Sequence, residues 1–135
     1  MQIEEEHSLH FIGKIDKHMY QGVTSDIVTD EVIITDERIE HIKNHHPNDY
    51  ERYQSYLSLM VESPDYIIAD ERPNTALVLK EIFDENTNEC FRLALRLATS
   101  SDCENYKNSI LTFWKTREKE YSRLIKNKNI LYKSK

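Results

Sequence analysis

Residues 75–83 read Thr-Ala-Leu-Val-Leu-Lys-Glu-Ile-Phe, residues 90–99 read Cys-Phe-Arg-Leu-Ala-Leu-Arg-Leu-Ala-Thr, and residues 109–114 read Ser-Ile-Leu-Thr-Phe-Trp. Each alternates as a strand with one face in a core. In the first, Leu77, Leu79 and Phe83 oppose Ala76, Val78, Lys80 and Ile82. In the second, Phe91, Leu93, Leu95 and Leu97 oppose Cys90, Arg92, Ala94, Arg96 and Ala98. In the third, Leu111 and Phe113 oppose Ile110, Thr112 and Trp114. Laid side by side, the strands are expected to put Lys80, Arg92, Arg96, Thr112 and Trp114 on the face away from the main core. Burying a charge is costly without a partner or water, so a cationic, hydroxyl-bearing and aromatic face suits an anionic ligand with rings, nucleic acid first. The plainer alternative is a solvated face whose basic residues keep sheet edges soluble.

The chain has 135 residues, the size of one domain with a core that needs no staples. Two cysteines, no leader-like segment and no apolar run near the length of a membrane span lead to the expectation of a reduced, soluble, cytoplasmic protein. The net charge of −6 disfavours nucleic acid unless the charge is unevenly placed. It is uneven: residues 1–70 carry 5 Lys/Arg against 15 Asp/Glu, and residues 71–135 carry 13 against 9. Residues 115–135 carry 8 against 2. Solvated helix faces would give the same imbalance.

Going outward along the chain, residues 1–8 are acidic, and 10–14 and 32–35 read as short strands around an irregular link with a hairpin near 18–23. Thr35 or Asp36 caps a helix that Pro47 stops. Asn48 can cap a second helix, ended at Ser63-Pro64. Residues 65–69 form a strand, 84–89 and 99–108 polar loops, 116–127 a basic amphipathic helix, and 130–132 a docking end. Helices followed by an antiparallel meander is the α+β order.

Helical geometry puts Arg38, His41 and His45 on one side of the first helix, beside the apolar side of Ile39 and Ile42. His41, at that boundary, is a proton-transfer candidate because imidazole titrates near neutral pH; a surface histidine beside an arginine is the alternative. His46, near the apolar side and next to Pro47, reads as packing or helix-ending, and His45 as exposed. His41 and His45 have the spacing of a zinc pair, but isoleucine follows His41 where a zinc-protease helix needs glutamate, so no metal or other cofactor is expected.

The segments Thr35-Asp36-Glu37-Arg38-Ile39-Glu40-His41-Ile42, His46-Pro47, Pro64-Asp65-Tyr66-Ile67-Ile68, Arg72-Pro73-Asn74-Thr75-Ala76, Leu79-Lys80-Glu81, Arg96-Leu97-Ala98-Thr99-Ser100, Tyr106-Lys107-Asn108-Ser109-Ile110, Thr112-Phe113-Trp114 and Leu131-Tyr132-Lys133, in that order and spacing, resemble the phage-associated nuclease domains of the barnase–EndoU–colicin–RelE-like (BECR) fold. The resemblance spans about residues 30–133 and implies N-terminal helices packed on a four-stranded antiparallel sheet, with the basic helix C-terminal. It leaves residues 1–30 as an acidic extension of a single domain, 1–135. It implies metal-independent ribonuclease activity and supports His41, Lys80, Arg96 and Thr112 as catalytic residues, with His46 a second histidine. Arg38, Arg92 and Trp114 join His46 as substrate-binding candidates. One departure is His45, where the family pattern leads one to expect arginine.

The mechanism this suggests is attack of a ribose 2′-OH on the adjacent phosphorus, leaving a 2′,3′-cyclic phosphate. His41 would serve as base or acid, Lys80 and Arg96 would stabilise the phosphate oxygens, Thr112 would hold one of them, and Trp114 would stack a base. The expected partner is RNA, single-stranded by preference, with no membrane; the sequence leaves the oligomeric state open. Two alternatives stand beside it: an RNA- or protein-binding phage accessory domain of the same fold, and a toxin held by an antitoxin or immunity protein. The acidic first thirty residues are a candidate shield for the cationic face.

Overall fold

The computed structural model describes residues 9–84 and 86–134. Seven strands form one sheet: β1 (Leu9–Lys14), β2 (Glu31–Thr35), β3 (Tyr66–Ala69), β4 (Thr75–Asp84), β5 (Thr87–Arg96), β6 (Asn108–Thr116) and β7 (Ile130–Lys133), in the order β1-β2-β6-β5-β4-β3-β7. Among the described residues four α-helices accompany it: α1 (Asp36–His45), α2 (Asp49–Tyr53), α3 (Leu57–Glu62) and α4 (Glu118–Asn127). The α+β class holds. The four-stranded sheet led by helices does not: two strands precede α1, and β2 runs parallel to β6 within an otherwise antiparallel sheet. Among the described residues, no helix is long and apolar enough to cross a membrane.

The sheet separates two cores. On one face Val78, Ile82, Phe91, Leu93, Leu95, Ile110 and Phe113 meet Ile42 of α1, Tyr53 of α2, and Leu57, Met60 and Val61 of α3. On the other, Leu77, Leu79 and Cys90 meet Tyr121 and Leu124 of α4. Burial pushes the Cys90 thiol up to about 11, so it packs as a small apolar group.

The described stretch before residue 31 joins the first of these cores. Residues 9–14 are the edge strand, and Ile15, Tyr20 and Ile27 are buried. The expected hairpin near 18–23 is instead a 3₁₀ turn, Lys17–Tyr20, capped by Asp16. Its Tyr20 hydroxyl donates to the Val61 carbonyl at 2.7 Å. The described part of the acidic extension is thus structural, and residues 1–8 lie outside the described residues.

Two local departures shape the face on which the candidate residues sit. A bulge in β6 lets Ala94 pair with Thr112 and Leu95 with Ile110, leaving Leu111 as the extra residue. Ile110 therefore turns into the first core with Phe113, against the simple alternation, while Thr112 and Trp114 stay on the other face. The second expected helix is broken into α2, a 3₁₀ turn at Gln54–Tyr56, and α3. Asn48 leads it in a left-handed conformation (φ 74°) without a side-chain cap.

Strand β2 touches β6 through two residue pairs, Val32–Asn108 and Ile33–Ser109. Fully buried Asn108 reinforces that junction: its amide oxygen accepts from the Ala98 N–H at 2.7 Å, and its amide nitrogen donates to the Thr29 carbonyl at 2.8 Å. Asn108→Ala would leave both groups unsatisfied, and a loss of about 1–3 kcal/mol is expected in urea unfolding. Unchanged stability would contradict this role.

Candidate functional site

The Thr35 hydroxyl accepts from the Arg38 N–H at 3.1 Å and starts α1 where β2 ends, with Asp36 and Glu37 in the first turn. Helix α1 then packs against β6 beyond the two residues that pair with β2. His46 caps its far end, its N–H on the Ile42 carbonyl at 2.8 Å. There the backbone leaves helical geometry (φ −136°), and the imidazole lies flat on Trp114, centroids 5.1 Å apart and planes 8° apart.

Trp114 is paired across the sheet with Arg92, whose guanidinium lies 4.5 Å from the indole centroid. One indole thus carries an imidazole and a guanidinium, drawn from α1 and β5. His41 and His45 are close by, their rings 4.2 Å apart, and both disfavour a proton on His46. Thr112, two pairs away along β6, lies on this same face, and its hydroxyl has no hydrogen-bond partner among the described residues. Arg38 is half-buried and makes no ion pair with a described residue.

The electrostatics are unbalanced. Burial lowers the proton affinity of Arg92, partly offset by Glu120. Glu120 Oε2 stands 3.8 Å from Arg92 but is held at 2.5 Å by Arg123, and Arg92 Nε is buried without a partner. Arginine stays charged even so, leaving an incompletely matched cation on an accessible face. Burial likewise lowers His46, opposed by Asp49 and reinforced by His45, His41 and Arg92. Its environment therefore favours the neutral, proton-accepting form of the ring.

The other expected site residues are placed differently. Lys80 pairs with Phe91 and so lies on the face covered by α3, its ammonium 3.3 Å from Asp65. This corrects the expected grouping: alternation splits each strand into two sides but does not say which sides of neighbouring strands coincide. Arg96 shares the face of Arg92, but roughly 13 Å along the strand, and Asp102 grips it with contacts of 2.7 and 3.0 Å. Arg96 also donates to the Leu97 carbonyl and lies over the Tyr106 ring. Its hydrogen bond to Asp102 holds that carboxyl down at about 2, and the pair organises the 99–108 loop. Trp114 is not a bare stacking platform, since its ring already bears His46 and Arg92. Sequence reasoning gives no sign of Glu120 and Arg123, because their relevance comes from the docking of α4 beside Arg92. Among the described residues no three His, Cys, Asp or Glu side chains are grouped so as to hold a metal ion.

A family model described as phage-Barnase-EndoU-ColicinE5/D-RelE like nuclease2 matches residues 8–133. No curated protein and no solved structure matches the chain.

The Arg96–Asp102 clamp has a pH signature. Its carboxylate is depressed below the ordinary 3.8, so its stabilisation is complete above that value and is lost as pH falls towards about 2. Thermal melts of wild type and Asp102→Asn should therefore differ most above pH 4 and converge as the pH drops. A gap that stays constant would contradict the clamp.

Proposed function

The chain belongs to this phage Barnase-EndoU-ColicinE5/D-RelE-like nuclease family, and from that premise we propose that it cleaves RNA at the cluster of His46, Trp114 and Arg92. The supporting observation is an imidazole and an under-compensated guanidinium sharing one indole ring on an accessible sheet face, with burial lowering the proton affinity of both.

In this reading a phosphodiester lies against Arg92. Neutral His46 takes the proton of the 2′-OH, whose oxygen then bonds to phosphorus. The bond from phosphorus to the 5′-oxygen breaks, and the leaving oxygen receives its proton from His41 or His45. The products are a 2′,3′-cyclic phosphate and a 5′-hydroxyl. Charge growing on the non-bridging oxygens is met by Arg92, with Arg123 able to join once Glu120 releases it. Thr112 donates its hydroxyl to one of those oxygens, and Arg38 extends the cationic strip along α1. Trp114 keeps acid–base and electrostatic groups in register, a positioning role.

The proton-accepting role thus passes from His41 to His46, and the phosphate-stabilising role from Lys80 and Arg96 to Arg92. That transfer also favours a second reading, in which the domain binds RNA without cutting it: two family-implied cations are held elsewhere by Asp65 and Asp102.

Incubation of labelled single-stranded RNA in EDTA separates the two readings. Cleavage is expected for wild type, falling about 10²–10⁴-fold in His46→Ala and about 10²–10³-fold in Arg92→Ala, with Lys80→Ala near wild type. The kcat/KM profile should rise through a value below the ordinary 6.5 of histidine, because activity appears as His46 loses its proton. RNA retention without cleavage by any of the proteins would support the binding module instead.

A further inference from the structure

Resting on that reading, we infer that a small hollow at the β1–β2 end of the same sheet face is a nucleobase pocket, taking the base of a nucleotide next to the one attacked. The hollow is about 170 Å³, and Leu9, Ile33, Thr35, Asn105, Tyr106 and Ser109 are among the residues that line it, with Lys107.

Its place in the sheet puts it on the same face as the candidate centre. Phe11 pairs with Ile33, Ile33 with Ser109, and Ser109 with Arg96, so one row of side chains crosses four strands on the face that bears Arg92 and Trp114. From Ser109 to Trp114 the strand rises roughly 13 Å, too far for one ring to serve both places. A strand of RNA with its phosphate on Arg92 would lay a neighbouring base here.

The chemistry favours a heteroaromatic ring. Leu9, Phe11 and Tyr106 are large apolar side chains left 50%, 62% and 37% exposed, and exposed aromatic faces are what unpaired bases stack on. The Trp114 ring is in use, whereas Tyr106 is steadied by Arg96 at 5.4 Å from its centroid and lines the hollow. The Ser109 hydroxyl and the Asn105 amide make no hydrogen bond with a described residue, so both can address the polar edge of a base. Glu31 holds the Lys107 ammonium at 2.6 Å, so that cation is already paired, and the lining that remains is mostly apolar.

The test uses fluorescence anisotropy with a labelled single-stranded pentanucleotide, 2′-O-methylated throughout so that it cannot be cleaved, and five versions each abasic at one position. Wild type should lose about 5- to 100-fold in affinity at one abasic position. Tyr106→Ala should show that loss with the intact strand and no further loss when the same base is absent. Leu9→Ala, at a half-exposed position that threatens the fold little, should show a smaller loss with the same position dependence. Equal binding by Tyr106→Ala and wild type, or losses that add at every position, would overturn the pocket and leave the hollow to a protein side chain. Arg92→Ala distinguishes the two levels: unchanged binding there counts against the cleavage centre while the Tyr106 result still decides the pocket. No binding by wild type would overturn both.

Discussion

Two residue pairs of parallel strand pairing, Val32 with Asn108 and Ile33 with Ser109, govern where the rest of the molecule can go. Strand β2 stops two residues after Ile33, the Thr35 cap turns the chain into α1, and that helix takes the place beside β6 that a longer strand would fill. The C-terminus of α1 therefore arrives at the far end of β6 and sets His46 on Trp114. Asp49, whose carboxylate accepts from the Lys115 N–H at 3.4 Å, fastens the start of α2 to the same strand end. The Asn108 amide holds the other end of the arrangement. Position in the sheet, rather than sequence proximity, brings the histidine and the arginine together.

The charges on this face fall into two kinds. Arg96 with Asp102 is a closed pair, bidentate and supported by the Thr99 N–H on the same carboxylate, which suits a loop clamp. Arg92 is open: buried enough to feel desolvation, lying on an indole, and served at 3.8 Å by a carboxylate that a second arginine holds more tightly. A bound phosphate would supply what that environment lacks, and screening there is weaker than at the surface. The overall charge of −6 does not decide the matter, because local complementarity is what an anion meets.

Much of this fold is legible in the sequence, and the failures have definite causes. The period-two pattern of residues 75–83 and 90–99 marks β4 and β5, Thr35 marks the helix start, and Tyr121 with Leu124 marks the buried side of α4. Lys80 goes astray because the pairing of Lys80 with Phe91 is a matter of register, which side-chain alternation cannot express. Ile110 is misassigned because one extra residue in β6 reverses the alternation. His46 reads as a packing residue because a helical wheel is carried one position past the last helical residue. Tyr20, a fully buried aromatic in a polar stretch, has no periodicity around it to announce its role. Glu120 and Arg123 depend on where α4 docks, which only the assembled sheet determines.

For this centre to cut RNA, one phosphate must sit against Arg92 with the preceding ribose in reach of His46. A crystal structure with a short single-stranded RNA, deoxy at one 2′ position to block cleavage, tests that requirement most directly. The predicted result is a phosphate oxygen within hydrogen-bond distance of the Arg92 guanidinium and the deoxy C2′ facing the His46 ring. RNA lying on the α3 side near Lys80, or crossing the sheet with no phosphate near Arg92, would contradict it.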